Sequence, residues 1–342
     1  MWPLEALASK WVRLSSVNPI EKAVRKVDRF QQRHPVVAFP YAVIQKYGND
    51  QAGGKAVVVA YYALFSLFPL LLLLTTILGF VLQGHPGLQS KVLNSALGNF
   101  PVIGTQLRSA AHPLTGNAVA LIVGVLGTLY GVQGVGQAAL NAMQTVWNVP
   151  YRRWPNFWLR RLRGFLLLAA LGFGTLVSTA LTSVIPAVVH GAPAAAGAVV
   201  AGAVVNFAVF SSAFVVLTSE RLGWHDVVVG AGLATVFWEG LQALGGWYVR
   251  RELAHATPVY GTFALVIALM SFLFLAAQLT LLAVEVDVVR RYRLWPRTIT
   301  QPPLSDGDRR TFLRLAAMEE RRPEIFVNAG FTSEADRDPL EG

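Results

Sequence analysis

Long uncharged apolar runs dominate the hydrophobic pattern of the chain, and residues 56–83 form the first of them. These 28 residues contain no charged side chain, whereas about 20 apolar residues suffice to cross about 30 Å of hydrocarbon. The run therefore predicts a transmembrane helix. Pro69 would kink this helix, and lipid tolerates the kink where neighbouring helices or hydroxyls such as Ser66 satisfy the freed carbonyl. We expect the first span to pack among other helices.

Five further runs share this character, and the predicted fold is all-α, a polytopic membrane protein with six transmembrane helices. The later spans are predicted at about 117–139, 164–189, 194–218, 226–249 and 260–286. Together the six form a transmembrane domain over residues 56–288, with an extracytoplasmic cap at 84–116. Residues 1–55 form a basic segment with an amphipathic helix, which either lies on an anionic leaflet or is an ordinary solvated helix. Residues 289–342 form a polar, partly disordered tail.

Composition and charge fix the orientation. The chain is 54% hydrophobic and 14% charged, which favours a membrane protein over two soluble domains. Its net charge of +10 invites a nucleic-acid interpretation. However, 25 of the 29 Lys and Arg residues fall in segments that alternate onto one side of the predicted membrane. The positive-inside rule then places both termini in the cytoplasm, and no nucleic-acid partner is expected.

Four motifs carry a family resemblance over about residues 25–290. They are AYYALFSLFPLLLLL (60–74), LNAMQTVWNVPYRRWPNFWLRRL (140–162), GWHDVVVGAGLATVFWEGLQ (223–242) and VYGTFALVIALM (259–270). In this order they resemble the YihY/BrkB family of bacterial inner-membrane proteins, formerly labelled ribonuclease BN. One departure is LLAVEVD at 281–287, where the family usually has LLGAE-x-N. The resemblance implies an envelope-integrity or virulence-associated protein, and lipid translocation has been proposed for some members.

Glu239 is the leading candidate for a functional group. It lies about 13 residues, or about 20 Å, from the predicted cytoplasmic start of the fifth span. An ionisable group at mid-membrane costs several kcal/mol unless it is paired or hydrated. The carboxyl therefore either couples protons or contacts a head group, or it is a neutral group hydrogen-bonded between helices. No Lys, Arg or His lies at matching depth in another span, so we expect a neutral partner.

Other polar residues within the spans extend this candidate site. Gln133, Gln137 and Asn141 are spaced by four and share one helix face. The further candidates are Gln242 one turn after Glu239, Gln278 in the sixth span, and Tyr61, Tyr62 and Ser66 in the first. They predict either a polar cavity that opens to one leaflet or simple interhelical hydrogen bonding.

A third set of residues is predicted to set packing and topology. Gly127 and Gly131 make a GxxxG pair typical of close helix packing. Pro69 is expected to kink the first span. Tyr260 and Gly261 begin the sixth span at the outer membrane–water interface. The cytoplasmic-interface charges are Arg152, Arg153, Arg160, Arg161, Arg163, Glu285 and Asp287. We expect the two acids to form salt bridges with the arginines of this loop, which would also attract anionic head groups.

The functional hypothesis is an inner-membrane protein that binds or translocates a lipid or other amphiphile through a cavity containing Glu239. The alternative is a non-transporting envelope-integrity scaffold. We expect no enzyme, cofactor or metal site, because the six histidines are scattered and no Walker or GxSxG motif is present. The ribonuclease label is disfavoured for the same reason. The expected partners are membrane lipids with anionic head groups, and a homo-oligomer is an open alternative.

Overall fold

The computed structural model describes residues 19–81, 118–188, 192–251 and 258–333, and these ranges form nine α-helices. The helices are α1 Pro19–Arg33, α2 Pro35–Asn49, α3 Ala52–Val81, α4 Ala118–Val146, α5 Phe157–Val188, α6 Ala192–Leu217, α7 Trp224–Arg251, α8 Pro258–Tyr292 and α9 Asp306–Ala317. A short 3₁₀ helix covers Tyr151–Arg153, and the described ranges contain no strand. The predicted cap at 84–116 lies outside the described residues.

Six of these helices, α3 to α8, are long and apolar enough to cross a membrane. Their spanning windows are Ala52–Leu73, Leu121–Val146, Phe157–Ser178, Ala196–Leu217, Trp224–Gly245 and Val266–Tyr292. Many large apolar side chains in these windows are exposed, for example Phe173 at 69% and Val236 at 66%. Apolar surface of this kind suits lipid rather than water. The prediction of an all-α protein with six spans is confirmed.

The fifth helix begins before the predicted third span, and Asn156 explains the difference. Its Oδ1 accepts a hydrogen bond from the Leu159 N–H at 3.0 Å, and its carbonyl accepts one from the Arg160 N–H at 2.9 Å. An Asn in this position favours helix initiation because it satisfies an otherwise unpaired N–H group. Arg160, Arg161 and Arg163, predicted in a loop, therefore lie in the first two turns of α5.

The chain divides into two compact units. The described residues of the first, here called the terminal unit, are 19–46, 150–152 and 288–333. The described residues of the second, here called the transmembrane unit, are 47–81, 118–149, 153–188, 192–251 and 258–287. Each therefore combines segments that are distant in sequence.

A buried polar network holds the terminal unit together. The guanidinium of Arg297, 1% exposed, donates through Nε to the fully buried Asp308 carboxylate at 2.5 Å. Asp308 also accepts hydrogen bonds from the N–H and hydroxyl of Thr298. Asp28 in α1 accepts from Gln31, which donates in turn to the carbonyl of Arg297 at 2.5 Å. These bonds tie the first described helix to the segment that follows α8.

Glycines on one face of α4 let it lie directly against α3 in the transmembrane unit. A Cβ added to Gly127 would lie 2.6 Å from Cβ of Pro69, and one added to Gly131 would lie 2.8 Å from Cα of Ser66. Any side chain at these positions would collide with α3, so the two helix backbones approach as closely as the GxxxG motif allows. Pro69 and Ser66 therefore form part of this interface.

Candidate functional site

A cavity of about 550 Å³ lies within the transmembrane unit, and we call it the Glu239 cavity. Its walls are mostly Ala, Val, Leu and Phe side chains contributed by all six spanning helices. The polar residues that line it are Ser178, Asn206, Glu239, Gln242 and Thr280. An apolar cavity with a few polar groups is the usual character of a small-molecule site.

The carboxyl of Glu239 is held by a neutral partner from the neighbouring helix. Nδ2 of Asn206 in α6 donates to Oε1 of Glu239 in α7 at 2.7 Å. Neither residue is fully buried, and both line the cavity. An amide donor offsets part of the cost of placing a carboxyl inside a membrane, whichever protonation state the carboxyl has. The pair therefore provides a fixed polar position in a mostly apolar cavity.

A second pocket, of about 830 Å³, lies between α3, α4 and the start of α5, and we call it the arginine pocket. The amide face of α4 forms one wall, and Arg160 and Arg161 from α5 form another. The remaining lining residues are aromatic, apolar or small: Val58, Tyr62, Leu129, Tyr130, Gly134, Ala138, Pro155, Phe157 and Phe165. The pocket shares no lining residue with the Glu239 cavity.

The polar residues predicted from the sequence to share one cavity are divided between these two sites. Glu239 and Gln242 line the Glu239 cavity, whereas Tyr62 and the amide face of Gln133, Gln137 and Asn141 line the arginine pocket. On α4, the residues that face Glu239 are apolar ones such as Val135 and Ala139. Side chains two residues apart on an α-helix point in directions about 200° apart around the helix axis. The amide face of α4 therefore points away from Glu239.

Three predicted candidates line neither site. The ring of Tyr61 is 49% exposed and meets the ring of Tyr62 edge-on at 5.6 Å. The hydroxyl of Ser66 donates to the carbonyl of Ala63 at 2.8 Å, and Gln278 is half-buried in α8. Tyr260 and Gly261 belong to α8, but their side-chain surroundings lie outside the described residues.

The basic side chains between the second and third spans have acceptors other than the expected Glu285 and Asp287. Within the terminal unit, Nε of Arg152 lies 2.9 Å from Glu320. Within the transmembrane unit, Arg153 pairs with Glu220 at 3.7 Å, and Arg163 donates to the Thr218 carbonyl and Ser219 hydroxyl at 3.0 and 3.1 Å. Arg160 and Arg161, by contrast, line the arginine pocket.

The two acids at the end of α8 are fully buried within the helix packing. Oδ1 of Asp287 accepts a hydrogen bond from the Gly230 N–H of α7 at 2.8 Å. The carboxylate of Asp287 therefore binds the backbone of a neighbouring helix. An Asn at this position could offer the same acceptor. Burial, and next the nearby Glu285 carboxylate, raise the pKa of the Tyr47 hydroxyl. The resulting cluster lies apart from the residues that line the Glu239 cavity.

Sequence reasoning missed a buried junction between α4 and the end of α6. Gln144 is fully buried, donates to the Ser219 hydroxyl at 2.8 Å and accepts from the Ser219 N–H at 3.2 Å. The available signal was a glutamine one turn beyond the amide face of α4. Within the described ranges, no group of three or more His, Asp or Glu side chains could hold a metal ion.

Comparison with known proteins adds a family assignment to this geometry. The family model described as Virulence factor BrkB matches residues 43–305. The inner membrane protein YhjD of Escherichia coli is 27% identical over 161 residues, which are 45% of this chain and 48% of YhjD. The ribonuclease-like protein YfkH of Bacillus subtilis is 24% identical over 272 residues, 75% of this chain and 96% of YfkH. No solved structure gives a significant match.

Proposed function

The chain belongs to the BrkB virulence factor family, and from that premise we propose that its Glu239 cavity binds an amphiphile, such as a membrane lipid, and moves it between leaflets. The protein is a multi-pass protein of the inner membrane. We further propose that both of its termini are cytoplasmic, because 25 of its 29 basic residues then lie on that side.

The observation that carries the proposal is the Asn206–Glu239 pair, the carboxyl-containing polar contact among the few polar residues of a mostly apolar cavity. Asn206 and Glu239 are fixed on each other at 2.7 Å, whereas most of the remaining wall is aliphatic. A molecule that complements this cavity needs a small polar part and a larger apolar part, which is the definition of an amphiphile. An entirely polar solute would lose its hydrogen bonds to water against the aliphatic wall, and the wall offers few groups to replace them.

The cavity also has a suitable size and composition for part of a lipid. Binding cavities for small molecules span about 300–1,000 Å³, and the Glu239 cavity holds about 550 Å³. Carboxyl groups inside spanning helices often mark substrate or proton pathways. Glu239 would bind the polar group directly and would couple its movement to protonation.

The experiment uses reconstituted protein and lipids with a fluorescent head group. Gly202 lines the cavity, and a Cβ added there would meet just the Ser178 hydroxyl oxygen, at an ordinary 3.7 Å. Gly202→Leu therefore adds side-chain volume at the cavity wall, and its first carbon meets no clash. Glu239→Gln keeps the acceptor for Asn206 but removes the ionisable group. The matched control is Gln278→Ala, in a residue that does not line the cavity.

We expect Gly202→Leu to abolish transbilayer movement of the labelled lipid, Glu239→Gln to reduce it, and Gln278→Ala to leave it unchanged. All three proteins should keep the size-exclusion profile of the parent. Parental rates for folded Gly202→Leu and Glu239→Gln proteins would contradict the proposal.

The alternative is a non-transporting envelope scaffold that acts through its terminal unit. The observation in its favour is that the tail residues up to 333 are folded in part, with the Arg297–Asp308 pair at the centre of a buried network. A scaffold of this kind should lose its cellular function when residues after Thr300 are deleted, while Gly202→Leu has no effect. The reverse result favours lipid movement.

A further inference from the structure

The arginine pocket has an electrostatic imbalance that its described lining residues do not neutralise. Arg160 and Arg161 line it, and none of its lining residues is an Asp or Glu. The pocket begins where the apolar window of α5 begins, at Phe157. A pair of cations at a membrane boundary attracts anions from the adjoining leaflet, and the positive end of the α5 dipole adds to this attraction.

The hydrogen bonds of the pocket are also incomplete. Asn141 Oδ1 accepts from Nη2 of Arg160 at 3.0 Å and so fixes the plane of the guanidinium. Nε of Arg160 and Nε2 of Gln133 are buried, and neither has a hydrogen-bond acceptor among the described residues. A buried donor without an acceptor costs about 1–3 kcal/mol. Both unsatisfied groups are donors, so the missing partner is an acceptor.

The remaining arginines of this segment already have partners within the protein. Arg152 and Arg153 each pair with a glutamate, and Arg163 donates to the Thr218 carbonyl. Arg161 lies over the ring of Phe157, with its guanidinium carbon 4.5 Å from the ring centre. That stacking leaves the edge of the guanidinium, where its donors lie, directed away from the ring.

We propose that the arginine pocket binds the phosphate group of an anionic phospholipid. A guanidinium offers paired donors that match phosphate oxygens, and the amides of Gln133 and Gln137 supply further donors. The apolar lining residues Val58, Leu129 and Phe165 provide a surface for the first part of the acyl chains. This site shares no lining residue with the Glu239 cavity and does not depend on the function proposed for that cavity.

The test compares two double variants of the full chain that lose the same charge from the same segment. The first is Arg160→Gln with Arg161→Gln, and the matched control is Arg152→Gln with Arg153→Gln, whose parent residues pair with glutamates instead. Binding of short-chain phosphatidylglycerol to the purified proteins in a neutral detergent is measured by native mass spectrometry and by titration. Phosphatidylcholine serves as the zwitterionic lipid, and glycerol 1-phosphate as the soluble phosphate.

We expect the pocket variant to bind phosphatidylglycerol about tenfold or more weakly than the parent, because it loses charge-assisted hydrogen bonds. The control should change by less than about threefold, as surface charges contribute little. Gln133→Leu, which keeps both arginines, should weaken binding by several-fold, and Arg160→Lys should do the same because lysine has no planar fork. These single variants keep the test informative if the double variant folds poorly.

Three outcomes would overturn the proposal. Equal losses in the pocket variant and the control would mean that binding follows net charge. Equal affinity for phosphatidylcholine would remove the requirement for an anion. Competition by glycerol 1-phosphate at the same concentration as the lipid would assign the pocket to a soluble phosphate, whereas weak competition supports the lipid.

Discussion

Substitution of Gly131 by alanine tests the close contact between α3 and α4, which positions one wall of each site. The added Cβ would lie 2.7 Å from Cβ and 2.8 Å from Cα of Ser66. Non-bonded carbon atoms prefer about 3.5–4.0 Å, so α3 would have to withdraw by about 1 Å. Ser66 cannot relieve the contact by rotating its side chain, because Cα belongs to the backbone. The neighbouring contact between Gly127 and Pro69 would open at the same time.

The expected loss follows from two opposing terms. Overpacking of a well-packed contact costs about 1–3 kcal/mol, and a backbone collision belongs to the upper half of that range. Alanine recovers about 0.5–1 kcal/mol because glycine is a poor helix former. The free energy of unfolding of Gly131→Ala should therefore fall by about 1–2.5 kcal/mol.

The assay is titration of the purified protein from mild detergent into dodecyl sulfate, with far-ultraviolet circular dichroism as the measure of unfolding. Gly172→Ala is the matched control, since a Cβ at Gly172 in α5 would meet nothing within 4 Å. The control should be as stable as the parent or slightly more stable. If Gly131→Ala and Gly172→Ala have the same free energy of unfolding, α3 and α4 do not approach as described.

Three further predictions concern Asp308, Asn148 and the Asn206–Glu239 pair, and all are measured by the same unfolding titration. Asp308→Asn should lose about 3–5 kcal/mol at pH 7, because Arg297 stays buried without its carboxylate. Burial by itself raises the pKa of Asp308, but hydrogen bonds from Ser305, Thr298 and Arg297 outweigh it and hold that pKa below its ordinary value. The stabilisation is therefore complete above the ordinary aspartate pKa and is lost as the pH falls through the folded one, so the difference between parent and variant should shrink in acid. Asn148 has a φ of 48°, so Asn148→Ala should be less stable than Asn148→Gly by about 1 kcal/mol. Asn206→Leu should cost about 1–3 kcal/mol by removing the donor to Glu239, and the added change Glu239→Leu should restore part of it.

Each of these predictions has a result that would contradict it. A constant difference between parent and Asp308→Asn from neutral to strongly acidic pH would show that the carboxylate is not stabilised in its charged form. Equal stability of the alanine and glycine variants at position 148 would mean that the backbone there is unstrained. If the losses of stability in the double-mutant cycle of Asn206→Leu and Glu239→Leu were strictly additive, Asn206 and Glu239 would not interact.

The number and type of spans could be predicted from the sequence, because membrane insertion depends on a local property. A run such as residues 56–83 is uncharged over more than the thickness of the hydrocarbon, and no distant contact can change that. Close packing at Gly127 and Gly131 could also be predicted from the local sequence, because small residues one turn apart form a groove on any helix.

The composition of the sites could not be predicted, because it depends on how each helix is rotated. Gln137 and Ala139 are two residues apart, yet they face different sites. The partners of the arginines were wrong for a related reason. Glu285 and Asp287 were expected to pair with the arginines between the second and third spans. Arg153 pairs instead with Glu220, and the buried Asp287 accepts a hydrogen bond from the N–H of Gly230.

Long-range pairing explains the remaining gap. Asp28 accepts a hydrogen bond from the N–H of Ile299 at 3.1 Å, although most of the chain separates them. Neither residue belongs to a motif, and hydropathy marks both segments simply as polar. A single sequence therefore gave no sign that α1 and the segment after α8 form one network with Arg297 and Asp308.

Photochemical labelling tests the central claim, that the Glu239 cavity takes up an amphiphile, most directly. The protein is reconstituted with a phospholipid that carries a photoreactive group, irradiated, and mapped by peptide mass spectrometry. We predict labels on the wall around Asn206 and Glu239 that disappear in Gly202→Leu, while labels at the outward-facing Phe173 persist in both proteins. Labels confined to outward-facing residues such as Phe173 and Val236, with none on the cavity wall of the parent, would contradict the account.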